Sequence, residues 1–306
     1  MNITLDHVYY LTGAFLLVFT AYTLVDNAHK AKWGTALFWG LYGITFIWGT
    51  QLPPGVVGGV VVLMAVIAGA KWMGLGSYNE ASRETRLAMA HKFKEWLFVP
   101  ALAVPIITFL IAKYTKLGAL VGFGIGSVVG LALALALTRE KVGQTFNEGR
   151  RLLDAIGWAV ILSQFLAALG FLFDKAGVGK VVADLVSSVV PADSLLATVV
   201  AYCVGMALFT MIMGNAFAAF AVITTGIGIP LVIKVHGADP AIAGVIAMVS
   251  GYCGTLMTPM AANFNIVPAA LLEIKDKNGV IKAQVLTAIP LLIINICLMY
   301  FLAFRR

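Results

Sequence analysis

Charge is what this 306-residue sequence has least of. Asp, Glu, Lys and Arg together make up 11% of it, whereas 61% is hydrophobic. An ordinary soluble domain has about 25% charged and about 45–50% apolar residues. The deficit excludes a soluble globular enzyme and a disordered chain. Acidic charge is the scarcer sign, 14 residues against 21 basic, a formal net charge of +7. The basic residues sit in short loops between apolar runs and form no continuous patch, so a nucleic-acid partner is excluded as well. The three cysteines (Cys203, Cys253, Cys297) lie inside apolar runs with no CxxC, which reads as helix packing. There is no HExxH, no GxSxG and no acid pair within an apolar run, and His7, His29, His91 and His236 stand near run ends. Intramembrane chemistry normally displays its ionisable groups, so the chain does not read as an enzyme.

What is present is length without charge. Runs free of Asp, Glu, Lys and Arg cover 7–25, 33–70, 96–112, 117–138, 155–173, 194–233, 240–272 and 283–304. A bilayer-spanning helix needs about 20 apolar residues. The pattern predicts an all-α polytopic membrane protein with about 8–10 transmembrane segments, broken helices and a re-entrant hairpin among them. Met1–Asp6 carries an acid and no Lys or Arg, so the first run reads as a retained helix and not a signal peptide.

The first part, 1–138, reads as plain spans. Val8–Val25 is one helix, and the run 33–70 divides at Leu52-Pro53-Pro54-Gly55 into two. Gly76–Glu95 is polar; Ser77 and Glu80 have capping-box spacing, and Leu87, Ala90, Phe93 and Leu97 share a helical face leading into the next span. The Lys and Arg excess puts loops 26–33, 73–95 and 139–151 on the cytoplasmic side, with the N-terminus outside. Trp33, Trp48, Trp72 and Trp96 near run ends agree, because their rings favour the interface. Gly122, Gly126 and Gly130 at a spacing of four predict close helix packing, within the chain in preference to between subunits. Residues 139–154 read as an amphipathic arm along the membrane, with Val142, Phe146 and Leu153 on one side.

Beyond the arm, the texture changes. Residues 155–190 hold Ser163, Gln164 and Gly170 and then Asp174–Lys180; they fit either a helix plus a surface helix or a re-entrant hairpin. The 40-residue run 194–233 carries Gly214-Asn215 near its centre, then Thr224-Thr225-Gly226-Ile227-Gly228. The 33-residue run 240–272 carries Ser250–Pro259, then Asn263 and Asn265. Any one such feature can be helix glue or a kink. Three in succession predict interrupted helices around a buried or aqueous site, since unpaired backbone in hydrocarbon costs several kcal/mol per group. Transporters hold solute at such breaks. Residues 276–306 add a C-terminal span.

The segments Phe209–Phe220, with Gly214-Asn215, and Gly251–Ala270, with Gly254-Thr255, Thr258-Pro259 and Asn263-Phe264-Asn265, resemble the larger subunit of two-component bacterial 5-oxoproline (pyroglutamate) permeases. That subunit is similar in turn to the ion-transporter superfamily of gluconate, lactate and dicarboxylate carriers. The resemblance covers essentially the whole chain, most specifically Gly251–Ala270. It implies an elevator-type carrier of the bacterial cytoplasmic membrane: 1–138 as scaffold, 139–154 as arm, 155–275 as transport part. It also implies a partner, a second membrane subunit or a second copy, because this chain carries one set of breaks.

The second half has no Arg or Lys within its apolar runs to meet a carboxylate. The expected solute residues are therefore Gly214, Asn215, Gly254, Thr255, Thr258, Asn263 and Asn265, through helix N-terminal N–H groups, side-chain amides and hydroxyls. No cofactor is expected. The lack of an acid within the runs favours Na⁺ over a proton as coupling ion. The competing expectation is a structural subunit whose partner holds the solute.

Overall fold

A computed structural model describes residues 3–78, 82–191 and 193–304, and every regular element among them is helical. Glu80 of the expected capping pair lies outside the described residues. The chain divides into two compact units, Met1–Gly157 and Trp158–Arg306. Six helices are long and apolar enough to cross a bilayer: Leu5–Val25, Glu84–Tyr114, Ala119–Thr138, Leu195–Met213, Ala216–Val235 and Gly279–Leu302. Two consecutive helical stretches, Val142–Ile156 and Ala159–Phe173, counted as one bent span, make a seventh. The protein is a multi-pass membrane protein.

The expectation of about 8–10 segments counted broken helices and a hairpin, and shorter pieces stand beside these full spans. Three further apolar helices, Pro54–Gly69, Pro240–Leu256 and Ala262–Leu271, have only 16, 17 and 10 residues. At 1.5 Å per residue these reach about 15–26 Å, short of a hydrocarbon core of about 30 Å. The 33-residue run was long enough for a span and a half, and its break leaves two short pieces.

In the first unit, α1 (Leu5–Val25) packs along α2 (Lys32–Trp48), and α3 (Pro54–Gly69) follows a turn with Pro54 at its first position. Gly55 belongs to the helix and not to the turn. α4 (Arg83–Phe93) is capped by Ser82, whose hydroxyl accepts the Thr85 N–H at 3.2 Å; Ser77 is not the cap. A short 3₁₀ turn, Lys94–Phe98, leads into α5 (Val99–Tyr114), which pairs with α6 (Ala119–Thr138). The glycine stripe serves that pair: a Cβ at Gly122, Gly126 or Gly130 would lie 3.1, 2.8 and 2.9 Å from atoms of Ile111, Val104 and Pro100. Intramolecular packing is the outcome. Trp33, Trp48, Trp72 and Trp96 are all exposed, as interface residues should be.

α7 (Val142–Ile156) is the amphipathic arm, and it stays with this unit. Phe146 meets Phe15, Phe19 and Tyr22 of α1 at ring separations of 5.8–6.1 Å. Arg150 reaches the loops read as sharing one side. Its guanidinium pairs with Asp26 at 3.0 Å and donates to the Tyr22 and Ser77 carbonyls at 3.2 and 2.8 Å.

In the second unit, α8 (Ala159–Lys175) and α9 (Val178–Val189) form a helical hairpin turned at Gly177, whose φ of +72° suits glycine. At 17 and 12 residues neither arm spans a bilayer alone. α10 (Leu195–Met213), α12 (Pro240–Leu256) and α14 (Gly279–Leu302) pack together as its core. α11 (Ala216–Ile223) runs on into a widened π-helical stretch, Thr224–Val235. The break expected at Thr224–Gly228 is therefore absent. Gly228 is explained by packing: a Cβ there would lie 2.7 Å from the Tyr202 hydroxyl, which hydrogen-bonds Thr224 at 2.9 Å. Cys203 and Cys253 are buried as expected, whereas Cys297 is exposed on α14.

Candidate functional site

Two helix interruptions meet in the second unit. The first separates α10 from α11. Gly214 takes φ +66°, closing α10 through its N–H to the Thr210 carbonyl at 2.7 Å, and Asn215 then caps α11. Its side-chain oxygen accepts the N–H groups of Phe217 and Ala218 at 2.9 and 3.4 Å. Such a cap contributes about 1 kcal/mol. With its oxygen committed, the Asn215 amide NH₂ is the group left to face a ligand.

The second interruption, Met257–Ala261, separates α12 from α13 (Ala262–Leu271). Side chains tie it to its surroundings. The Thr258 hydroxyl donates to the Met211 carbonyl at 2.9 Å and accepts the Met260 N–H at 3.2 Å. The Asn265 amide, fully buried, donates to the Thr255 and Thr258 carbonyls at 2.9 and 2.7 Å. These bonds satisfy carbonyls that the end of α12 leaves without helical partners. The breaks also touch: a Cβ on Gly214 would lie 2.5 Å from the Met260 carbonyl oxygen.

Between them opens a cavity of about 290 Å³, lined by Gly214, Asn215, Thr255 and Asn263 among the expected residues. Its wall includes three aromatic rings that the sequence did not single out, Phe217, Tyr252 and Phe264. Tyr252 meets the other two edge-on at 6.2 and 6.4 Å. Leu162 and Leu166 of α8 close the side given by the hairpin.

Gly254, Thr258 and Asn265 do not line the cavity. Thr258 and Asn265 hold the break open. Gly254 and Thr255 lie in the last turn of α12, a helix C-terminus, and so offer carbonyls and not the N–H groups expected of them. Gly254 is there for packing: a Cβ would lie 2.1 Å from the Ala207 carbonyl oxygen of α10. Gly170 in the hairpin likewise packs on Ala218, at 2.5 Å for an added Cβ, while Gln164 is exposed and the Ser163 side chain lies outside what is described. Two buried oxygens near the breaks, Thr210 Oγ1 and Asn265 Oδ1, have no hydrogen-bond partner among the described residues. No cluster of three His, Cys, Asp or Glu able to hold a metal occurs among them.

Residues 6–304 match the family model described as "Protein of unknown function (DUF979)". The chain belongs to this family. No curated protein and no solved structure matches it. The match spans both units.

Proposed function

We propose that the protein is a subunit of a secondary active transporter that moves a small organic anion, 5-oxoproline or a similar carboxylate, across the bacterial cytoplasmic membrane. The observation that carries this reading is the meeting of the two interruptions around one cavity in the second unit. The starts of α11 and α13 border it with their positive helix-dipole ends, and Asn215 and Asn263 line it. These are donors for a carboxylate where no Arg or Lys lines the cavity. The edge-on aromatic rings suit the flat, partly apolar body of a lactam.

In this reading the second unit carries the solute in an elevator-type movement, and the α8–α9 hairpin re-enters the membrane beside it. The first unit anchors the protein, with the N-terminus outside. Loops 26–33, 73–95 and 139–151 face the cytoplasm. Thr210 Oγ1 and Asn265 Oδ1 are oxygens of the kind a coupling Na⁺ takes as ligands. A second membrane subunit or a second copy completes the carrier. A purely structural role is the rival, favoured by the positions of Gly254, Thr258 and Asn265, which brace the breaks.

Uptake into reconstituted vesicles separates the two. Asn263→Ala and Asn215→Ala are expected to raise the half-saturating solute concentration several-fold while the protein still inserts and assembles. Unchanged uptake kinetics in both variants would overturn the solute assignment.

A further inference from the structure

No Asp, Glu, His, Lys or Arg lines the cavity, yet the first unit buries several such groups. Asp154, near the end of α7, has its side chain fully buried. Its carboxylate accepts the Trp39 indole N–H at 3.1 Å and the Tyr78 hydroxyl at 2.6 Å. Those partners come from α2 and from the segment before α4, so one carboxylate joins three parts of the unit. The His29 ring, also fully buried, places Nε2 3.8 Å from the same carboxylate, too far for a hydrogen bond. Its Nδ1 accepts the Ala31 N–H at 3.1 Å. A ring that accepts at Nδ1 carries its hydrogen on Nε2 and is uncharged.

The charges then fail to balance. Arg150 is committed to Asp26 at 3.0 Å, which makes one neutral pair. Glu148 and Arg151 on the outer face of α7 make another at 2.8 Å. Tyr78 stays a neutral phenol, since burial and the adjacent carboxylate push its hydroxyl up. Ionised Asp154 would be left as the uncompensated charge among the described groups facing it: Asp26, His29, Tyr78 and Arg150. A buried charge without a partner is costly, and binding a proton removes that cost.

We infer that Asp154, with His29 beside it, is a proton-binding site that latches the α7 arm onto the first unit, so that docking of the arm takes up one proton. This goes beyond the solute reading and does not depend on it. Docking that takes up a proton is strongest at low pH and weakens as pH rises. The arm ends at Gly157, with φ +54°, where the first unit ends, so a proton-dependent latch acts next to the junction of the two units.

Hydrogen–deuterium exchange of the full chain in lipid nanodiscs tests this, corrected for the intrinsic pH dependence of exchange. The arm's opening equilibrium is expected to rise with pH by up to about tenfold per unit, the limiting slope for one proton. Amides of α10 in the second unit serve as the folded reference and stay flat. Asp154→Asn, which keeps an acceptor for Trp39, is expected to abolish the slope. Tyr78→Phe removes a donor that favours the ionised form and is expected to move the transition to higher pH. An arm whose protection is pH-independent in the wild type, or a slope that survives Asp154→Asn, overturns the latch.

Discussion

The Thr258 hydroxyl donates to the Met211 carbonyl at 2.9 Å, binding the interruption after α12 to the last turn of α10. Neither atom is on the cavity wall. Thr258→Val keeps the shape and removes the donor, leaving a buried carbonyl without its partner. The expected cost is about 1–3 kcal/mol, read as a lower Tm in detergent. Solute affinity in the surviving protein should be unchanged. A loss of affinity with no loss of stability would return Thr258 to the solute wall.

Glycines on two helices should respond in opposite ways. Gly254→Ala places a Cβ 2.1 Å from the Ala207 carbonyl oxygen, so α10 and α12 must part, and overpacking costs about 1–3 kcal/mol or more. At Gly58, within α3, an added Cβ meets nothing within 4 Å. Gly58→Ala should be neutral or stabilise by about 0.5–1 kcal/mol through helix propensity. Thermal unfolding of the two variants side by side checks the assignment of Gly254 to packing.

Asn215 has two duties, which substitution can separate. Ser is also a good cap, so Asn215→Ser should hold the start of α11 within a few tenths of a kcal/mol while removing the amide donor. Asn215→Ala should lose both, about 1 kcal/mol of stability included. Both variants are expected to take up solute with a raised KM, and only the Ala variant should also show a lower Tm.

Acid should loosen the first unit at Asp26. Burial pushes this carboxyl up, but N–H groups from Ser77 and Ala28 and the Arg150 guanidinium outweigh it and hold the carboxyl below its ordinary value. A depressed carboxyl contributes stability that is present above about 3.9 and lost as pH falls through the native value. Asp26→Asn should flatten the low-pH loss of stability, measured by thermal unfolding across the acid range.

Local signals were legible in the sequence and long-range ones were not. The spacing of Gly122, Gly126 and Gly130 is a property of one helix, and it correctly indicated the close α5–α6 pair. Glycine is ambiguous, however, because it serves both breaks and tight packing. Gly214 has a positive φ and marks a break; Gly228 and Gly254 resemble it in sequence but make room for Tyr202 and Ala207. The Asp154–Trp39 bond joins residues 115 apart in sequence, and a charge at the edge of a run gives no sign of such a partner. The aromatic wall was invisible too, since Phe217, Tyr252 and Phe264 are unremarkable in an apolar chain until three helices bring them together.

Equilibrium binding of 5-oxoproline to the purified full chain, alone and as Asn263→Ala, tests the solute cavity most directly. The proposed function predicts saturable binding, strengthened by Na⁺ and weakened at least about tenfold in the variant; a tenfold loss corresponds to about 1.4 kcal/mol, the scale of one hydrogen bond to a charged group. Binding that is absent in the wild type, or equal in the two proteins, would contradict it.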